Sequence, residues 1–287
     1  MKTNDYVAPK HPAMRDDTLV NMTQTANTVR MTPYHPYKRS HRVLSDRRYF
    51  DFETGEIKVM NESLERDPSS INRAFKRFRD LINTNFTGTL NDTDTENELF
   101  ITLTYADGPS LLETDSPKVR KEKFMGYRDE ITKFTRRLRK AVFDVKWAYV
   151  IEMQKTGRPH VHLLLKNDNV RTWHIENKVI TDMWGLGHTS TKRLNNPIGL
   201  GKYLSKGTNV NRLPKGVKLT GSSRNLKKPD KRIVPARIAR ALARHAGMSQ
   251  GSYYTVTGPN GEWLLPIEER RVEQPKHYRS NYVTSAS

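Results

Sequence analysis

Residues 156–167 read TGRPHVHLLLKN, a run that would pass for a buried β-strand but for two histidines, His160 and His162, on either side of Val161. Side chains alternate faces along a strand, so His160, His162 and Leu164 share one side while Val161, Leu163 and Leu165 share the other. The preceding WAYVIEMQ, residues 147–154, alternates likewise: Tyr149, Ile151 and Met153 oppose Val150, Glu152 and Gln154. The apolar set is odd-numbered in both. If the two runs form a hairpin with one buried face, paired residue numbers must sum to an even value, which requires an odd loop around Lys155 to Pro159. Glu152 then lies across from His162 and Gln154 across from His160, up to a shift of two residues.

Two imidazoles and a carboxylate on the polar face of a sheet suit a divalent-metal site whose open positions bind substrate oxygen. Ligand softness favours manganese, zinc or a similar ion over magnesium, and Mn2+ or Mg2+ is the expected cofactor. A pair of solvated surface histidines is the plainer alternative, but the doublet facing Glu152 argues against it.

Around this hairpin the pattern is regular. LFITLTY (99–105) predicts a strand, Lys121 to Val142 a long helix with Phe124, Tyr127, Ile131, Phe134 and Leu138 on one face, and Thr172 to Trp184 a second helix. His188 to Leu194 and Val217 to Ser222 read as further strands. Helices alternating with strands that include a tight hairpin indicate an α+β fold with a mainly antiparallel sheet. Upstream, Ser70 is a candidate N-cap for SINRAFKRFRDLI, a basic amphipathic helix that either faces DNA or packs with a solvated basic side. Residues 1–45 are polar, and Pro9, Pro12, Pro33 and Pro36 interrupt them, so they read as a mobile or wrapping arm without a core. Downstream lie the basic segment NLKKPDKRIVPARIARALARHAG and a hairpin pattern, YYTVTGPNGEWLLPI.

Composition narrows the function. The 287 residues carry 50 Lys+Arg against 31 Asp+Glu, a formal charge of +19, an excess that attracts polyanions, nucleic acid first among them. There is no cysteine, which excludes disulfides, thiolate zinc sites and cysteine nucleophiles and fits a reducing, cytoplasmic setting. No apolar run approaches membrane-spanning length.

PHVHLLL resembles the histidine-hydrophobic-histidine motif of the HUH endonucleases, and IEMQKTGRPHVHLLL is similar to that region in rolling-circle replication initiators of small phages and plasmids. The resemblance implies a ferredoxin-like, RRM-like antiparallel sheet of HUH type covered by helices, with N- and C-terminal extensions, Glu152 as third ligand beside His160 and His162, and a tyrosine nucleophile on a nearby helix. FITLTYAD (100–107) resembles the first motif of such initiators and offers Thr104 and Tyr105, with Arg158 in the hairpin loop, as DNA contacts.

NNPIGLGKYLSKG supplies that helix, with Asn196 as N-cap, Pro197 at the first helical position and Gly207 just past the end. Gly199, Lys202, Tyr203 and Lys206 fall within one arc of its surface. A phenol has a pKa near 10, so forming the phenolate at neutral pH costs about 4 kcal/mol, which Lys202 and Lys206 would reduce. Related initiators often carry two tyrosines four residues apart, and Gly199 stands where the first would be, which leaves a single-tyrosine type with Tyr203 as nucleophile. VKLTGSSRNLKKP is similar to the segment after the nucleophile helix and offers Ser222, Ser223, Arg224, Lys227 and Lys228 as DNA contacts.

The expected organisation is therefore an arm over 1–45, a helical extension and linker over 46–97, an endonuclease domain over 98–222 and a basic extension over 223–287. The expected activity is a site-specific nick in single-stranded origin DNA that leaves a 5′-phosphotyrosine. With no GxxxxGK[ST] loop, no nucleotide cofactor is expected, and the resemblance implies a host helicase as partner. A mobilisation relaxase or single-strand transposase shares the chemistry, although relaxases usually place the tyrosine before the histidines. A non-catalytic nucleic-acid binder would want stacking aromatics on the sheet face, where Glu152, Gln154, His160 and His162 stand instead. His174, Asp182 and His188 form no constellation and read as helix and loop surface.

Overall fold

The structure is a computed structural model that describes residues 14–34, 36, 41–45, 48–59, 68–88, 96–112, 114–154, 157–194, 217–257 and 264–272. The α+β expectation holds: two five-stranded antiparallel sheets and a three-stranded one accompany four helices among these residues.

The first sheet is built from β6 (Glu98–Thr104), β7 (Lys146–Met153), β8 (Pro159–Lys166), β9 (Thr189–Arg193) and β10 (Thr220–Ser222), ordered β10-β7-β8-β6-β9. The helices α2 (Pro117–Ala141) and α3 (Asn177–Trp184) connect β6 to β7 and β8 to β9. Strand-helix-strand-strand-helix-strand, with the first strand beside the third and fourth, is the ferredoxin-like arrangement. Its core forms on the odd-numbered face: Leu99, Ile101, Leu103, Val161, Leu163 and Leu165 are buried in one cluster with Phe124, Ile131, Phe134 and Leu138 of α2. The phenylalanine and leucine spacing of α2 turns a single apolar stripe onto the sheet.

α2 begins four residues before the expected Lys121, because Ser116 caps it, accepting from Val119 N at 3.3 Å, and Pro117 occupies the first turn. α3 is shorter than Thr172 to Trp184. Its supposed first turn is spent on a bridge, with Trp173 N donating to Glu96 O at 3.0 Å. The edge strand β10 crosses β7 with Gly221 opposite Tyr149, and a Cβ there would meet the Tyr149 ring at 2.5 Å, so only glycine fits.

The second sheet corrects the view of residues 1–45 as an arm without a core. β1 (Leu19–Gln24) and β2 (Thr28–Pro33) form its middle, in the order β11-β1-β2-β13-β12, with β11 (Asp230–Pro235), β12 (Gln250–Thr257) and β13 (Leu264–Arg271). Val20, Met22, Val29 and Met31 are buried against Ala236, Ala239 and Ala243 of α4 (Ala236–His245). Pro33 does not break this sheet, because β13 pairs β2 only over Thr28 to Met31 and asks Pro33 for no hydrogen bond. Arg240 pins α4 down, its guanidinium donating to both Glu268 oxygens and to Met14 O. The expected hairpin near the C-terminus is β12–β13, and the basic stretch before it becomes β11 and α4.

Between the sheets lies α1 (Pro68–Asn85), which starts at Pro68, two residues before the expected cap Ser70. Phe75, Phe78 and Ile82 enter the first core, while Asp80 accepts two hydrogen bonds from Arg30 of β2, at 3.0 and 2.8 Å, with both side chains buried. β3 (His41–Val43), β4 (Arg48–Asp51) and β5 (Ile57–Val59) form the separate small meander.

Candidate metal centre on the first sheet

The hairpin parity holds. β7 and β8 pair with Glu152 opposite His160 and Val150 opposite His162, the alternative register two residues from the first expectation. Gln154 N donates to Arg158 O at 2.9 Å and Gly157 N to Gln154 O at 3.0 Å, and Gly157 takes a left-handed conformation (φ 78°) that closes the loop. β6 lies on the other side of β8, and its even-numbered threonines complete the face: Thr104 is opposite His160 and Thr102 opposite His162.

This even face is not uniformly polar. Ala148, Val150 and Leu164 are fully buried, and at that end Lys166 pairs with Glu98 at 2.8 Å and donates to Asn85 O of α1 at 3.0 Å. At the other end Thr104, His160 and Glu152 are partly open.

There His162 is 8% exposed, its ring stacked on Phe100 with centroids 5.6 Å apart. Its Nε2 donates to Glu152 Oε2 at 2.9 Å, and its Nδ1 lies 3.4 Å from Thr102 Oγ1. His160 stands edge-on to it, ring centroids 6.4 Å apart. Burial holds the His160 imidazole below its ordinary pKa, the neighbouring His162 adds to this, and Glu152 opposes it, so the neutral, ligand-competent form is favoured.

The donor set suits a divalent cation. Two donors each about 2.1 Å from an ion and at right angles are about 3.0 Å apart, and the His162–Glu152 separation is 2.9 Å. With Nε2 on the ion, Nδ1–H is left to donate to Thr102, the outer-shell bond that fixes a ligating tautomer. Among the described residues no three His, Asp or Glu side chains already close around one point. Thr102 escaped the sequence reading, yet parity could have found it: β6 and β8 share an odd apolar face, so Thr102 and Thr104 must share the histidine face.

Of the expected DNA contacts, Thr104 flanks His160, although its hydroxyl donates to His188 O at 2.9 Å. Arg158 reaches across the loop to Ala106 O, beside the same open end. Tyr105 is a correction: it is buried, its hydroxyl donates to Tyr127 O at 2.9 Å, its ring packs on Trp184, and burial pushes its pKa up. Tyr105 continues the odd-numbered core face of Leu99, Ile101 and Leu103 past the end of β6. Ser222 lies opposite Ala148 and Ser223 accepts from Trp147 N at 3.0 Å, so both sit toward the far end of the sheet, followed by exposed Arg224, Lys227 and Lys228. The fold does not bring these five to the histidine end. Tyr203, Lys202 and Lys206, and the helix expected to carry them, lie outside the described residues. His174 and His188 are exposed and Asp182 pairs with Lys178 at 2.9 Å, as surface residues do.

One family comparison covers this part of the chain. Residues 98–208 match the family model for the ORF2-type replication-associated protein. The match takes in the whole βαββαβ unit, the Glu152, His160 and His162 side chains and Tyr203, and covers fewer than half of the 287 residues. It supports a replication-initiator role for the chain. No curated protein and no solved structure matches it. Among the described residues no helix is long and apolar enough to cross a membrane.

Proposed function

We propose that the chain is a rolling-circle replication initiator of HUH type that nicks single-stranded DNA at an origin with Tyr203 as nucleophile. The observation that carries this reading is the 2.9 Å contact between His162 and Glu152 with His160 opposite on the same sheet face, inside the matched segment. Glu152, His160 and His162 are the residues to hold Mn2+ or Mg2+, which supplies charge neutralisation and polarisation of the scissile phosphate. Gln154 is the weaker ligand candidate, since its position lies beyond the last β7–β8 ladder pair.

The chain's own groups do the rest. Thr102 orients His162, and Arg158 stands where it meets an incoming phosphate. Lys202 and Lys206 lower the cost of ionising the Tyr203 phenol. Its oxygen forms the bond to phosphorus, the bond from phosphorus to the 3′ oxygen breaks, and the phenolic proton ends on that oxygen. The products are a 5′-phosphotyrosine and a free 3′-OH, so bond energy is kept for rejoining and no nucleotide cofactor is needed. Unwinding falls to a host helicase.

His162→Ala or Glu152→Ala should abolish cleavage of single-stranded oligonucleotides in manganese while leaving duplex binding. Wild-type cleavage by either variant, or full cleavage in chelator, would remove the metal from the reading. A relaxase or transposase would cleave equally, and the origin-dependence of replication in cells separates them.

A further inference from the structure

The face of the second sheet that looks away from α4 carries one cross-strand row: Lys231 opposite Thr23, Thr23 opposite Arg30, Arg30 opposite Glu269. Arg30 is neutralised by Asp80 of α1, and Glu269 is taken by Arg271 at 2.7 Å. Lys76 stands one helical turn before Asp80 on the same side of α1, with Arg79 beside Asp80. Three positive groups from two elements are thus set around a row whose carboxylates are already committed. Lys76 is exposed yet registers the crowding: partial desolvation first, then the charges of Arg30, Arg79 and Lys231, hold its ammonium below its ordinary pKa against the opposing charge of Asp80.

α1 covers this face at Arg30 and meets the β1–β2 turn, where Ala26 N donates to Asn83 O at 3.1 Å. The next rows, Ile233 opposite Asn21 and Pro235 opposite Leu19, continue the same face to the β11 edge, and Ile233 and Leu19 are 52% and 48% exposed. The result is a trough with a basic wall and an open floor. Like charges held together repel unless a polyanion lies among them. The floor is aliphatic and polar, without the aromatic rings on which unpaired bases stack.

We propose that this trough binds the phosphate backbone of duplex DNA, with Lys76, Arg79 and Lys231 as the phosphate contacts. It deepens the initiator reading by giving the chain a duplex-holding surface apart from the nicking face, and it rests on that reading only for its biological setting. Binding here is sequence-independent, since phosphates carry no base information.

The test is fluorescence-anisotropy titration of full-length protein with a duplex oligonucleotide in chelator, where no cleavage occurs, across a salt series. Each phosphate neutralised contributes about 0.9 to the slope of log affinity against log salt. The triple variant Lys76→Gln/Arg79→Gln/Lys231→Gln should therefore lower the slope by about 2.7, so that from 50 to 200 mM salt wild type loses about 40-fold more affinity than the variant does. A control removing three exposed charges of α2, Lys121→Gln/Arg136→Gln/Lys140→Gln, should keep the wild-type slope. An unchanged slope in the trough variant, or an equal fall in the control, overturns the proposal. Thermal melting should show the trough variant as stable as wild type, because the substitutions relieve repulsion. A variant that melts early is replaced by the single Lys231→Gln, for which the slope should fall by about 0.9. Single-strand nicking is measured in parallel: nicking with an unchanged slope defeats the trough alone, and a lowered slope without nicking defeats the initiator reading alone.

Discussion

The two five-stranded sheets solve the same packing problem and leave opposite residues over. The first buries its odd-numbered face under α2 and leaves, at one end of the other face, Glu152 and two imidazoles in contact with each other. The second seats small alanines of α4 on Val20, Met22, Val29 and Met31 and binds its buried charges in pairs, Arg30 with Asp80 and Arg240 with Glu268. A buried ion pair is close to neutral for stability when intact and costly when one member is lost. One sheet leaves titratable donors at the edge of its core, and the other ties its charges in buried pairs.

That contrast is most exposed to attack at Asp80. Asp80→Asn deprives Arg30, in a pair whose side chains are 6% and 5% exposed, of its carboxylate, and should cost about 3–5 kcal/mol. Hydrogen exchange should then show β1 and β2 amides losing protection while β8 keeps it. Equal loss in β8 would mean that the two sheets open as one unit. On the first sheet, Thr102→Val removes the partner of His162 Nδ1 while keeping the shape of the side chain. Manganese affinity, read by calorimetry, should fall about 10- to 100-fold with little change in melting temperature. Unchanged affinity would show that Thr102 does not orient the ligand.

The smallest effect concerns pH. Burial works to raise the Glu268 pKa, but the hydrogen bonds from Arg240 and Arg270 outweigh it and hold the carboxyl below the usual glutamate range. A depressed carboxyl contributes stability above its unfolded value and loses it as pH falls through the folded one. Denaturant midpoints should therefore decline below the ordinary glutamate range, and less so in Glu268→Gln, which has no proton to take up. Identical acid profiles for variant and wild type would assign the decline elsewhere.

The two sheets also differ in how far the sequence discloses them. In the first, β7 and β8 are joined by a tight loop and pair directly, so the alternation of Val161, Leu163 and Leu165 against Ile151 and Met153 set faces, parity and loop length together. The register was open by two residues because parity cannot tell Glu152 opposite His160 from Glu152 opposite His162. In the second, β1 and β2 meet β11 and β13 from some two hundred residues further on, and nothing local to LVNMTQ or TVRMTP marks that pairing. Val20, Met22, Val29 and Met31 alternate, but the nearby Pro33 and Pro36 are as typical of irregular chain as of a strand end. Tyr105 failed for a related reason: its burial depends on Trp184 and Tyr127, both remote in sequence.

The central claim joins one metal-holding sheet face to one phenol, and a single measurement tests it. After incubation with manganese and a random pool of single-stranded DNA, proteolysis and mass spectrometry should find a nucleotide attached to the peptide containing Tyr203, absent in chelator and absent in Glu152→Ala. A nucleotide on another residue, no adduct at all, or an adduct formed equally without the metal would contradict the account.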